Sequence, residues 1–312
     1  MPTNRERPRP DKACDPLSNR QAHLDRPTDA FDPRVEAWRP DLADIRLYGR
    51  MAAHSYVEPT PARCCVPAAA VRRAPDRQAE QVSQLLLGET FHVLEIGEVW
   101  AWGYCGHDRY VGYIETDSLA GTPARDAPTH WVSAPQGLVF SGPSIKTALH
   151  LTAPLGARLS LADHDDTFLA LADGSGFIHR RHVRPLGDWA ADPAQVAESL
   201  VGTPYLWGGR TRAGIDCSGL VQIALMACGH DCPRDSDQQQ ALGEPVPESA
   251  WGALRRGDIV FFPGHVGLMA DETRLIHANA YWMATVIEPL ADVVARLKPT
   301  TDTPILCVRR LG

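Results

Sequence analysis

The sequence predicts a multidomain chain in which two small all-β barrels precede an α+β domain. Three observations predict it. Short apolar runs separated by turn residues fill the stretch from about 53 to 120. The same layout returns more faintly between about 128 and 187, at a period of roughly 65 residues. Beyond that, helical spacing after a cysteine gives way to apolar strand-like runs that carry two histidines.

A chain of 312 residues with a formal net charge of −7 has room for two or three domains and ample core. The mild acidity argues against a nucleic-acid partner. Residues 1–26 are rich in Arg and Pro and have no apolar run, so no secretory signal is expected there. No stretch approaches the ~18 apolar residues of a membrane span. The eight cysteines are scattered, which favours a reducing, cytoplasmic setting. Cys228 and Cys232 lack a second cysteine pair or paired histidines, so no metal site is expected.

Residues 1–50 read as an extended leader draped over the folded body, with its first 25 or so residues disordered. A first barrel is expected over 51–123. Its strands are Cys65–Pro67, Val82–Leu87, Phe91–Ile96, Val99–Tyr104 and Tyr110–Ile114. The Pro- and Gly-bearing stretch 121–128 reads as a linker. A second barrel is expected over 128–187: Leu155-Gly156-Ala157-Arg158-Leu159 echoes Leu87-Gly88-Glu89-Thr90-Phe91, and Ser175-Gly176-Phe177-Ile178 echoes Val111-Gly112-Tyr113-Ile114. The last domain, 188–312, opens with a helix from Pro193 to Leu200.

The chemistry is concentrated in that last domain. In Gly214-Ile215-Asp216-Cys217-Ser218-Gly219-Leu220-Val221 a glycine-bearing turn runs into a cysteine, and Leu220, Val221, Ala224, Leu225 and Ala227 follow at helical spacing up to Gly229. Cys217 then sits at a helix N-terminus, where free N–H groups and the helix dipole favour a thiolate nucleophile. Asp216 can cap that helix. Downstream, Gly264-His265-Val266-Gly267 and Ile276-His277-Ala278 lie on two strand-like runs joined by the turn Asp271-Glu272-Thr273. A hairpin sets the two imidazoles side by side, with His265 as the base for Cys217 and His277 as its orienting group. Asp258 in Arg-Gly-Asp reads as a turn residue.

Asp-Cys-Ser-Gly-Leu-Val, Arg-Gly-Asp-Ile-Val-Phe-Phe, Gly-His-Val-Gly and Ile-His-Ala, preceded by Gly202-Thr203-Pro204-Tyr205-Leu206-Trp207-Gly208-Gly209, resemble the NlpC/p60 family of papain-like cysteine peptidases. The two barrels resemble bacterial SH3-like domains, which often accompany that catalytic domain. The resemblance implies a cysteine-bearing helix packed on a histidine-bearing antiparallel sheet. It also implies hydrolysis of cell-wall peptides with no metal or organic cofactor.

The whole chain resembles γ-D-glutamyl-L-diamino acid endopeptidases that trim murein tripeptides and tetrapeptides carrying a free N-terminal L-Ala. In that type the first barrel closes one end of the cleft. The resemblance assigns Tyr205 to oxyanion stabilisation. It assigns Ser218 and Ser236 to contacts with substrate carboxylate and peptide groups. Tyr110 and Glu80 fall to the closed end, where Asp216 could also face the ammonium. Tyr104 and Tyr113 stand close to Tyr110 as alternative contacts. Bulky Tyr281-Trp282-Met283 is expected to narrow the leaving-group side. Three other readings use the same residues: an exported wall hydrolase, an acyltransferase or amidase on the Cys-His-His scaffold, and a non-catalytic wall-binding protein.

Overall fold

The computed structural model describes residues 31–121 and 127–312. The expected disorder of the first 25 residues, Cys14, and most of the expected linker lie outside the described residues.

Part of the leader is more regular than an extended drape. Strand β1 (Leu42–Asp44) runs parallel to β2 (Ser55–Val57), with a 3-10 turn at Ile45–Leu47 capped by Asp44. Ala37 is buried with Leu94, Trp102 and Tyr104 of the first β-unit, and Leu42 and Val57 pack against that cluster. The Arg39 guanidinium lies 4.3 Å from the Trp102 ring centroid, a cation–π contact that fixes the segment's path.

The first β-unit contains β3 (Thr60–Cys64), β4 (Ala68–Arg72), β5 (Gln81–Leu86), β6 (Thr90–Ile96), β7 (Trp100–Cys105), β8 (Val111–Glu115) and β9 (Leu119–Gly121). Their order is β5-β4-β8-β7-β6-β3-β9. The strand expected at Cys65–Pro67 is the turn between β3 and β4. Pro67 cannot donate to a ladder, and Ala68-Ala69-Ala70 carried too weak a β signal to be seen as a strand. Tyr110 lies just before β8, not within it. Val71, Leu85, Phe91, Ala101, Cys105 and Ile114 fill the interior.

The second β-unit contains β10 (His130–Val132), β11 (Gln136–Phe140), β12 (Leu149–Pro154), β13 (Arg158–Leu159), β14 (Leu161–Asp163), β15 (Phe168–Leu171), β16 (Phe177–His179) and β17 (Val183–Pro185). Two sheets are formed, β12-β11-β16-β15-β14 and β13-β10-β17. Taking β13 and β14 as one strand broken at Ser160, this pairing order repeats that of the first unit. Gly88 and Gly156, paired in the sequence echo, both adopt left-handed φ, at +76° and +88°, a conformation glycine reaches without steric cost. Val132, Val139, Ala153, Leu159 and Ile178 form its own core.

The remaining elements are α1 (Pro193–Glu198), β18 (Arg210–Thr211), β19 (Gly214–Ile215), α2 (Cys217–Ala227), α3 (Ser236–Gln239), β20 (Glu244–Pro245), β21 (Ile259–Phe262), β22 (His265–Met269), β23 (Arg274–Asn279), β24 (Ala284–Pro289), α4 (Leu290–Leu297) and β25 (Cys307–Arg310). Strands β20-β25-β21-β22-β23-β24 make one sheet. Helix α2 is apolar on nearly all faces, as a fully buried helix must be. Leu220, Val221, Ile223 and Leu225 pack on Ile259, Phe261, Val266, Leu268 and Ile276 of the sheet. Each such side chain contributes about 1.5–3 kcal/mol by leaving water. The same cluster takes in Leu86 from the first β-unit and Trp131 and Leu155 from the second. Asp258 holds the turn before β21, accepting from the Arg255 N–H at 2.8 Å and pairing with Arg310 at 2.6 Å. No helix among the described residues is long and apolar enough to cross a membrane.

Candidate active site

Cys217 is the first residue of α2 and is buried. Three local features put it there. Asp216 caps the helix, its Oδ1 accepting from the Gly219 N–H at 2.7 Å. β18 and β19 form a tight hairpin that delivers the chain to the cap. At Gly219 a Cβ would come within 2.3 Å of the Gly209 carbonyl oxygen, so only glycine lets the hairpin approach the helix this closely.

The hairpin of β22 and β23 carries the two imidazoles as the sequence suggests. The register pairs Leu268 with Ile276 and Met269 with Leu275. His265 Nε2 and His277 Nδ1 are 2.7 Å apart, which leaves His265 Nδ1 as the nitrogen for the thiol. His277 Nε2 lies 2.8 Å from Glu288 Oε1 and 3.0 Å from Asn279 Nδ2. Glu288 on β24 is bound in turn by Arg296 of α4. Neither Glu288 nor Asn279 was singled out from the sequence. The pairing of His277 with Val286 places Glu288 diagonally across on the same sheet face, and that register was the available signal.

The electrostatics differ from the expected thiolate. Burial, reinforced by the neighbouring Asp216 carboxylate, pushes the Cys217 thiol up to about 12. Burial and then His277 push the His265 imidazole down to about 3. The helix terminus does not outweigh the loss of solvent, so thiol and imidazole rest neutral, and the proton moves during attack. Tyr205 forms a bridge to Ile215, two residues before the cysteine. Burial and the proximity of Cys217 raise its hydroxyl, which therefore stays a protonated donor.

Asp216 is not open to an ammonium group. Its Oδ2 accepts from the Gly208 N–H at 2.7 Å, and Arg234 reaches both oxygens at 2.6 and 3.0 Å. Both are committed to the cap and to a buried ion pair. Ser218 is likewise drawn inward, with Arg234 donating to its Oγ at 2.8 Å. Ser236 is the first residue of α3 and is partly buried. The carboxylate that meets Tyr110 is that of Asp235, which the sequence reading missed. The Tyr110 hydroxyl donates to Asp235 Oδ2 at 3.0 Å. Of the two alternatives, Tyr104 bonds Arg46 and Tyr113 bonds Arg39, both leader residues. Burial raises the Asp235 carboxyl, partly offset by Tyr110, Arg234 and Arg34.

Glu80 sits across the junction, bound by Arg73 at 2.7 Å and by the Trp207 indole at 3.0 Å, which together hold its carboxyl below the usual range. The leader also enters. Arg34 donates to Asp235 at 2.9 Å and to Asp32 and Asp237 at 2.8 Å. Around Tyr110, the carboxylates of Asp32, Glu80, Asp235 and Asp237 outnumber the guanidiniums of Arg34, Arg73 and Arg234, the last of which is also paired with Asp216. This end of the site is therefore net acidic.

Further polar bonds hold the first β-unit against these residues. Buried Arg210 pairs with buried Glu89 at 2.8 Å, and Gln222 donates to Asp108 at 2.8 Å. Arg234 donates to Ser83 at 3.1 Å. Among the described residues no cluster of His, Cys, Asp and Glu could hold a metal ion.

Residues 202–291 match the NlpC/P60 family and residues 71–119 match the bacterial dipeptidyl-peptidase SH3 domain. The chain is similar to dipeptidyl-peptidase 6 of Lysinibacillus sphaericus, 29% identical over 66% of this chain and 82% of that one. It is 31% identical to the gamma-D-glutamyl-L-lysine dipeptidyl-peptidase of Bacillus subtilis over 39% of this chain and 44% of that one, so it spans less than half of that relative's length. An NlpC/P60 family protein from Bacillus cereus shares the fold, with a TM-score of 0.68 and 20% identity over 80% of this chain and 99% of that one. The chain thus carries an NlpC/P60 domain, of a family of peptidoglycan cysteine peptidases, joined to a bacterial dipeptidyl-peptidase SH3 domain.

Proposed function

We propose that the protein is a cysteine endopeptidase that cuts the γ-D-glutamyl–diamino acid bond of short murein peptides with a free N-terminal L-Ala. The observation that carries the reading is the acidic end built by Tyr110, Asp235 and Glu80. Two β-unit residues and one catalytic-domain residue converge there, and a carboxylate with a hydroxyl is what an ammonium group needs. A blocked amine brings no positive charge to this acidic end, so the end selects as well as binds. The named activity of the Bacillus subtilis relative supports the same linkage. In this reading residues 51–123 and 128–187 are two SH3-like domains, 188–312 is the peptidase domain, and the enzyme works on recycled peptides in the cytoplasm.

In the mechanism, His265 Nδ1 takes the thiol proton as Cys217 Sγ attacks the γ-carbonyl carbon. The oxyanion is met by the Tyr205 hydroxyl and by N–H groups at the start of α2. His265 returns the proton to the diamino-acid nitrogen as the C–N bond breaks. Water, deprotonated by His265, then cleaves the thioester and restores the thiol. His277 orients His265.

The test is a paired digestion of L-Ala-γ-D-Glu-meso-diaminopimelate and its N-acetyl form, with products followed by mass spectrometry. Cleavage of the free-amine peptide alone, abolished in Cys217→Ala, is the expected result. Equal cleavage of both would remove the closed acidic end and favour a wall hydrolase. Cleavage of neither by a protein whose Cys217 still alkylates would favour an acyltransferase or amidase.

A further inference from the structure

We propose that Glu288, held by Arg296, is a positioning residue that sets the tautomer of both histidines and so makes His265 Nδ1 a base. The hydrogen-bond chain leaves two possibilities, and they have opposite consequences. Glu288 Oε1 and Asn279 Nδ2 both lie within bonding distance of His277 Nε2, at 2.8 and 3.0 Å. The first accepts a hydrogen bond and the second donates one.

If Asn279 governs, Nε2 is bare and Nδ1 carries the proton. His277 then donates to His265 Nε2, and His265 Nδ1 is protonated and cannot take the thiol proton. If Glu288 governs, His277 Nε2–H donates to the carboxylate and Nδ1 is bare. The 2.7 Å contact is then His265 Nε2–H donating to His277 Nδ1, and His265 Nδ1 keeps its lone pair for Cys217.

The geometry favours Glu288. Arg296 donates to both of its oxygens, at 2.5 and 3.0 Å, and the Tyr281 ring lies 4.3 Å beneath the guanidinium carbon. A carboxylate gripped in this fork stays ionised and can only accept. The Asn279 amide faces the imidazole because its Oδ1 accepts from the Trp282 N–H at 2.8 Å, so it remains the competitor. A side chain at 288 with no acceptor hands control to it. Exposed Tyr281 and Trp282 thereby gain a role: they brace Arg296 and Asn279.

The inference rests on Cys217 and His265 as the reacting pair, and the outcomes that decide it, tautomers and alkylation, need no peptide. In wild-type protein, ring-nitrogen 15N spectra should show His277 protonated on Nε2 and His265 also on Nε2. In Glu288→Leu no acceptor remains beside His277 Nε2, Asn279 donates to it, and both tautomers should reverse. Iodoacetamide alkylation of Cys217 should then slow, and kcat/KM should fall about 100-fold or more with KM little changed. For comparison, an amide in place of a carboxylate that orients a catalytic imidazole costs about 10⁴-fold. Adding Asn279→Asp restores an acceptor at Nε2 and should recover much of the alkylation rate. His277 protonated on Nδ1 in wild type overturns the proposal, even if no variant folds. So does a folded Glu288→Leu protein that alkylates at the wild-type rate. Failure to cut the free-amine peptide would instead strike the substrate reading and leave the tautomers as they are.

Discussion

The two β-units repeat one pairing order and use it differently. The first faces the cleft with polar groups: Tyr110 on Asp235, Glu80 on Trp207, Glu89 on Arg210 and Asp108 on Gln222. The second offers the catalytic domain mainly apolar surface. Trp131 and Leu155 join the α2 core, with the Trp131 ring 5.7 Å from Trp189. Among the described residues, no hydrogen bond joins the second unit to Asp235 or Tyr110. A shared fold therefore does not carry a shared role; the role lies in which side chains sit on the docked edge.

That contrast can be broken in order of expected effect. Glu89→Ala leaves Arg210 buried and unpaired, and should cost about 3–5 kcal/mol of stability. Urea unfolding reads this, and an unchanged midpoint would show that the pair does not hold the first unit in place. Trp131→Ala should cost about 3 kcal/mol or more through the cavity it leaves. The folded enzyme should keep its preference for a free amine; loss of that preference would mean the second unit also shapes the cleft.

Asp235→Asn removes the charge facing the ammonium and should lower kcat/KM for the free-amine peptide about 10- to 100-fold, the worth of a hydrogen bond to a charged group. The acetylated peptide should be unaffected, so the ratio of the two substrates is the measurement. Tyr110→Phe deletes one hydroxyl and should raise KM a few-fold, in keeping with about 0.5–1.5 kcal/mol for one hydrogen bond. An equal effect from Tyr104→Phe would undo the assignment of Tyr110 over its neighbours.

The reacting pair also predicts a pH effect, stronger than that of His92, His130 and His182 in the β-units, which burial lowers as well. Folded His265 stays neutral down to about pH 3, whereas in the unfolded chain it takes up a proton near pH 6.5. Between those values the unfolded state binds more protons, so stability falls as pH drops through that window. In His265→Gln that part of the slope should vanish. Denaturation series at pH 7, 6, 5 and 4 measure it, and equal slopes in the two proteins would contradict a buried neutral imidazole.

The legible parts of the site share one property: short-range spacing. A capped helix start is written in Asp216, Cys217 and the apolar positions after it. The imidazole pair is written in two strands joined by a polar turn. Asp235, Arg34 and Glu288 were not legible. Tyr110 and Asp235 are 125 residues apart, and Arg34 and Asp235 are 201 apart. No periodicity links such positions; they meet only when the first β-unit docks. At Asp216 the helix cap was legible but the buried partner Arg234 was not, because it comes from a loop after the helix.

By itself, then, the sequence determined the candidate nucleophile, the two histidines and the helix and hairpin that present them, since each depends on backbone geometry over a few residues. It also indicated the repeated β layout. Tertiary structure alone decided which carboxylate faces the acidic end, which tyrosine reaches it, and that the leader's Arg34 contributes there. It also decided that Cys217 and His265 rest neutral. Hydrogen-bond partners and desolvation depend on what packs around a group, and here those neighbours come from distant parts of the chain.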